Sequence, residues 1–115
     1  MNIREYQSLA ASTANKTLGP MRPIVACMGL AGEAGEFVDE YKKVVGHGHP
    51  LDEDKLKKEL GDVAWYVAEL CTAHGWCMEE VLAANIEKLR VRYPEKFTTA
   101  NSLRRIDVQT EKESR

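Results

Sequence analysis

Residues 24–71 read IVACMGLAGEAGEFVDEYKKVVGHGHPLDEDKLKKELGDVAWYVAELC, and the fold follows from the likeness of the two halves of this stretch. Between Ile24 and Val45 the sequence offers no breaker beyond single small glycines, so one long helix is expected there. Gly46-His47-Gly48-His49-Pro50 ends it. Asp52 or Asp54 can cap the next helix, which closes near His74-Gly75. The two helices overlay with a shift of about 26 residues at roughly 100° per residue. Leu30, Ala34, Phe37, Tyr41, Val44 and Val45 then fall on Leu56, Leu60, Val63, Val67, Leu70 and Cys71, giving each helix the same apolar stripe. Glu33-Ala34-Gly35-Glu36 falls on Glu59-Leu60-Gly61-Asp62. In each pair the carboxylates lie within about 60° of one another on the same flank of the stripe.

Helices joined by a short loop, here roughly residues 46 to 52, pack antiparallel. Glu36 lies about nine residues before that loop and Asp62 about ten after it, so at ~1.5 Å per residue the two acid pairs share one level. Four converging carboxylates repel one another unless a cation lies among them. All four offer hard oxygen and neither pair has Glu-x-x-His spacing, which favours Mg²⁺, with Mn²⁺ as a substitute, over iron or zinc. A single Glu-x-x-Glu is most often a solvated helix flank. Two facing pairs, each enclosing a glycine that costs a helix about 1 kcal/mol, favour a metal site instead.

Outward from the hairpin, Ile3 to about Thr17 reads as a first helix with Tyr6, Leu9 and Ala10 on one face, stopped by Leu18-Gly19-Pro20. A last helix runs from about Met78 to Tyr93 and stops at Pro94. With Leu82, Ile86, Leu89 and Tyr93 as its stripe, Asn85, Lys88 and Arg92 share one flank within about 60°. An acid cluster beside such a row suits a metal-triphosphate complex, because the cations neutralise oxygens the metal does not reach. No run of Val, Ile and Thr alternates with polar residues long enough to make a strand. The reading is all-α, a long helical hairpin with two flanking helices in one domain over residues 1–97, followed by a polar tail, 98–115, expected to be mobile. Val25, Met28, Trp65, Trp76 and Val91 put apolar surface on more faces than one chain covers, so a homodimer or homotetramer is expected to complete a four-helix bundle.

The 115 residues suffice for one modest core, and 43% apolar with 30% charged residues is the composition of a folded globular chain. A net charge of −2 without a basic run excludes electrostatic adhesion to nucleic-acid polymers or anionic membranes. Met1-Asn2-Ile3-Arg4-Glu5 does not open a signal peptide, and no apolar run approaches the roughly 20 residues a bilayer requires, so a cytoplasmic location is expected. Cys27, Cys71 and Cys77 are odd in number and argue against a disulfide framework. Cys71, His74 and Cys77 lack a fourth zinc ligand, so ordinary burial of cysteine as a small hydrophobe is favoured over a zinc site. Trp65 reads as packing and His47 and His49 as loop residues.

Three ordered motifs carry a resemblance: Gly29-Leu30-Ala31-Gly32-Glu33-Ala34-Gly35-Glu36, Glu59-Leu60-Gly61-Asp62-Val63-Ala64-Trp65-Tyr66 and Asn85-Ile86-Glu87-Lys88-Leu89-Arg90-Val91-Arg92-Tyr93-Pro94. Across about residues 24 to 97 the chain resembles the MazG-like all-α nucleotide pyrophosphohydrolases. The resemblance implies Mg²⁺ on Glu33, Glu36, Glu59 and Asp62 and hydrolysis of a nucleoside triphosphate to monophosphate and pyrophosphate by an assembly of two or more chains. It implies metal-assisted attack of water on a phosphoanhydride phosphorus, with Glu36 orienting or deprotonating the water and Asn85, Lys88 and Arg92 on the substrate. Many members begin the first motif with two adjacent acids; here the earlier position is Gly32, with Glu40 one turn beyond Glu36 as a compensating acid. The rival readings are a non-catalytic helical interaction or antitoxin-like module, and a related enzyme acting on a phosphoribosylated histidine precursor.

Overall fold

The computed structural model describes residues 1–108 and is built from helices, with no strand among those residues. In chain order they are α1 (Ile3–Ser12), a 3₁₀ turn (Gly19–Met21), α2 (Arg22–His47), α3 (Glu53–His74), α4 (Met78–Arg92) and α5 (Thr99–Arg104). They fall into two compact units, Met1–Met78 and the residues from Glu79 onward.

The first unit is the hairpin of α2 and α3 with α1 packed on α3. Its ends are set by local chemistry. Asp52 caps α3 by accepting from the Lys55 N–H at 3.1 Å, and Gly48 and Gly75 close α2 and α3 in the left-handed conformation, with φ of 71° and 74°. α2 starts at Arg22, two residues before the expected Ile24, because Pro23 fits the first helical turn and the Gly19–Met21 turn leads into it. α1 ends at Ser12, well short of Thr17. The Ser12 and Thr13 hydroxyls donate back to the carbonyls of Leu9 and Ala10 at 2.6 and 2.7 Å, and Asn15 Oδ1 then accepts from the Thr17 N–H at 2.9 Å, turning the chain.

Polar contacts pin these elements together. Gln7 of α1 donates through Nε2 to Thr72 Oγ1 at 3.1 Å and to the Trp76 carbonyl at 2.8 Å, and its Oε1 accepts from the Met78 N–H at 2.8 Å. Trp65 Nε1 donates to Thr13 Oγ1 at 2.9 Å, so Trp65 packs α1 on α3, as its sequence reading expected. Arg22 grips Glu69 in a two-point ion pair at 2.8 and 2.9 Å, with the Glu69 side chain buried. At Gly29 α2 packs tightly against α3: a Cβ there would overlap the Tyr66 ring. Gly35 and Gly61 have open space where a Cβ would stand.

The core is thin. Ala10, Ala26, Leu56, Ala68, Cys71 and Met78 are its buried apolar residues among those described, and three of them are alanines. Ala34, Tyr41, Val45 and Leu60 belong to the stripes expected to be buried, yet they are exposed in the single chain. Ile24, Met28 and Val38 form a further exposed apolar row on α2, on the side away from Glu33 and Glu36.

The second unit contains α4, whose bounds match the sequence reading to one residue, and a folded stretch where the sequence showed only a polar tail. Thr98 Oγ1 caps α5 by accepting from the Asn101 N–H at 3.1 Å, Arg105 turns the chain at φ 46°, and Asp107 then pairs with Arg92. The remainder of the expected tail, 109–115, lies outside the described residues.

Gly29→Ala is expected to destabilise the chain by about 1–3 kcal/mol through overpacking against Tyr66. Gly61→Ala, in open space, should stabilise it by up to about 1 kcal/mol through helix propensity. Urea unfolding of both variants checks the pair, and equal effects of the same sign would contradict the close approach.

Candidate metal centre

Glu33 and Glu36 lie on α2 at a spacing of three, and Glu59 and Asp62 on α3 at the same spacing, so each helix turns two carboxylates toward the other. One carboxylate oxygen from each of Glu33, Glu36 and Glu59 lies within 4.8 Å of the other two, making the metal-competent cluster among the described residues. Asp62 is outside that tight group, but its charge acts on both Glu33 and Glu59. Three of the four expected ligands therefore converge closely and the fourth borders them.

Around this cluster the acids outweigh the pull of Lys55. Glu33 Oε2 and Glu59 Oε2 are buried and accept no hydrogen bond. Desolvation, followed by the charges of Glu36 and Asp62, a hydrogen bond with Glu36 and the charge of Glu59, raises the Glu33 carboxyl above the ordinary glutamate value. Desolvation also raises Glu59, with further pushes from Glu36, Glu40 and Asp62 and an opposing pull from Lys55. Buried carboxylate oxygens normally have partners, and their absence here leaves lone pairs that a cation can take. The donor set is all hard oxygen, which fits Mg²⁺ or Mn²⁺.

Two residues at the rim were missed by the sequence reading. Tyr6 of α1 is close enough for the Asp62 charge to raise its phenol, second to the effect of burial. Lys55 lies one turn before Glu59, and its Nζ meets Glu40 Oε1 across the hairpin at 2.8 Å. For Lys55 the available signal was its place four residues before Glu59, which puts both on one face of α3. Glu40, the expected compensating acid, is held by Lys55 and by Lys43 at 3.4 Å, and the hydrogen bond from Lys55 keeps its carboxyl below the ordinary glutamate value.

Asn85, Lys88 and Arg92 belong to the second unit, on α4. Asn85 and Lys88 are exposed. Arg92 is engaged: its Nε and Nη2 donate to Asp107 Oδ1 and Oδ2 at 2.8 and 3.0 Å, and the Asp107 side chain is only 4% exposed. The Arg92 hydrogen bond holds the Asp107 carboxyl below its ordinary range, and Lys88 adds to the same shift.

The model of the MazG nucleotide pyrophosphohydrolase domain family matches residues 24–97, which include the hairpin, all four acids and α4. The chain is also similar to a protein named "Gene 37 protein" from Mycobacterium phage L5, with 39% identity over 69 residues. That match covers 56% of this chain and spans 60% of the relative's length. No solved structure matches.

The raised carboxyls give a stability dependence of definite sign. Between the ordinary glutamate value and the raised folded values of Glu33 and Glu59, the folded state holds more protons than the unfolded one. Stability from these two groups therefore falls as pH rises through that window. Asp39, Glu40 and Asp107 are shifted down, so their stabilisation is lost only as pH falls below the ordinary carboxylate range. In chelator, the melting temperature of the wild type relative to a Glu33→Gln/Glu59→Gln variant should fall as pH rises above the ordinary glutamate value. Mg²⁺ should recover it in the wild type alone. Parallel pH curves for the two proteins would contradict the clustered, uncompensated acids.

Proposed function

Because the chain belongs to the MazG nucleotide pyrophosphohydrolase family, we propose that it is a Mg²⁺-dependent enzyme converting nucleoside triphosphates to monophosphates and pyrophosphate. The observation that carries the metal requirement is the pair of buried, partnerless oxygens on Glu33 and Glu59 inside a three-carboxylate cluster. Glu33, Glu36, Glu59 and Asp62 would hold the ion. When bound, it supplies Lewis acidity toward phosphate oxygens and lowers the pKa of a coordinated water.

The chain's own residues do the rest. Glu36 is the exposed member of the cluster, which suits it to orient an incoming water and accept its proton. Asn85 and Lys88, exposed on one flank of α4, would hydrogen-bond and neutralise the polyphosphate. Arg92 would contribute through donors left over from Asp107, since that pair occupies its Nε and one hydrogen of Nη2.

The active form would be at least a dimer. Val25, Met28, Trp76 and Val91, expected from sequence to seek a partner, are all exposed, while Trp65 is half-buried. In the first unit Phe37, Tyr41, Leu51, Leu56 and Leu60 also line an open groove of about 280 Å³ on the hairpin. Pairing two hairpins through these faces would complete a four-helix bundle and thicken a core that one chain leaves thin. None of the described helices is long and apolar enough to cross a membrane.

Pyrophosphate release from a panel of ribo- and deoxyribonucleoside triphosphates, with Mg²⁺ and with chelator, tests the reaction. Glu36→Gln and Asp62→Asn should each abolish turnover without loss of helix content. Turnover within a few-fold of wild type at saturating Mg²⁺ would remove these acids from the site.

The assembly has a separate test, because coupled folding and association makes the melting temperature rise with protein concentration. A folded, active monomer in sedimentation at micromolar concentration would refute the paired hairpins.

A further inference from the structure

Antiparallel packing arranges the facing residues of α2 and α3 in successive layers. Gly29 seats against Tyr66 at one end of the row, and Glu40 meets Lys55 at 2.8 Å near the loop. Helical steps of three and four residues place Glu33 opposite Asp62 and Glu36 opposite Glu59 between those two contacts. Two layers are therefore acid on acid, and the layer nearest the loop is acid on cation. Glu40 continues the acid row of α2, yet it is not one of the carboxylates that converge within 4.8 Å. Its Oε1 is taken by Lys55 Nζ at 2.8 Å and Lys43 Nζ at 3.4 Å, and its side chain is 15% exposed. Lys55 also acts electrostatically on Glu59, so its charge reaches the cluster as well as its own partner.

We propose that Lys55 is a built-in monovalent cation closing the loop end of the acid row, and that each chain consequently loads a single divalent ion, on the Glu33, Glu36 and Glu59 cluster, when no nucleotide is present. This rests on the metal-binding reading above. Two-ion phosphoryl sites hold their ions about 3.5–4 Å apart and need ligands on both. A second ion beside Glu59 on the loop side would require Glu40 as a ligand. Lys55 occupies that carboxylate and its charge repels an arriving divalent ion. At the other end of the row Gly32 supplies no oxygen donor in its side chain, which leaves Asp62 as the one carboxylate outside the tight group there, too few ligands for a second ion.

The test is a Mn²⁺ titration of the full, metal-free chain without nucleotide, with free Mn²⁺ followed by its electron paramagnetic resonance signal. The wild type should bind about one Mn²⁺ per chain, and Lys55→Met, which releases Glu40, about two. Lys55→Arg keeps the cation and should stay at about one, as should Lys55→Met/Glu40→Gln, which lacks the extra ligand. Lys55 is 48% exposed, so its loss should leave the fold intact, checked by helix content. Lys55→Gln takes its place if the Met variant does not fold. Two ions in the wild type, or one in a folded Lys55→Met, would overturn the proposal and leave the metal-binding reading standing. No Mn²⁺ bound by the wild type would overturn both.

Discussion

The close seat of Gly29 against Tyr66 is the contact on which the register of the molecule depends. It lets the α2 backbone approach α3, and it fixes which residues of the two long helices face each other. A side chain at position 29 would push the helices apart at that level or slide them. Either change would spoil the convergence of Glu33, Glu36 and Glu59, which sit one and two turns farther along the same face. Packing and chemistry are thus one constraint here: the glycine that weakens α2 as an isolated helix permits the approach that assembles the acids.

The hairpin and its acids were legible in the sequence because period and spacing determine them. Glycine-rich breakers bound each helix, and the acid pairs repeat at equal distance from the loop. The parts that were not legible depend on contacts between residues far apart in sequence. Nothing in the order of residues told that Arg22 would find Glu69 or that Glu40 would be taken by Lys55. The shortened α1 reflects a competition that composition alone does not decide, in which Ser12, Thr13 and Asn15 hydrogen-bond locally in place of continuing the helix. The α5 region escaped because six residues are too few to show an apolar period, and its capping and its ion pair with α4 are what define it. The apolar stripes are legible in the sequence, but the burial expected for them is not met in the single chain, where Tyr41, Val45 and Leu60 are exposed.

The treatment of charge separates scaffold from site. Glu69 is buried and paired with Arg22, Asp107 is buried and paired with Arg92, and Glu40 is largely shielded and paired with Lys55. In each case a carboxylate removed from water has received a cation, as the energetics of burial require. Glu33 and Glu59 differ: each has one buried oxygen without a hydrogen bond, and both carboxyls are raised by desolvation and by neighbouring acids, the pull of Lys55 on Glu59 notwithstanding. A chain that supplies a cation to its other sheltered acids has the means to do so here. Replacing one member of the Glu33, Glu36 and Glu59 cluster by lysine would neutralise it as Lys55 does Glu40, at the cost of the ligand set. The repulsion left among these acids is therefore the physical basis of the proposed cation site.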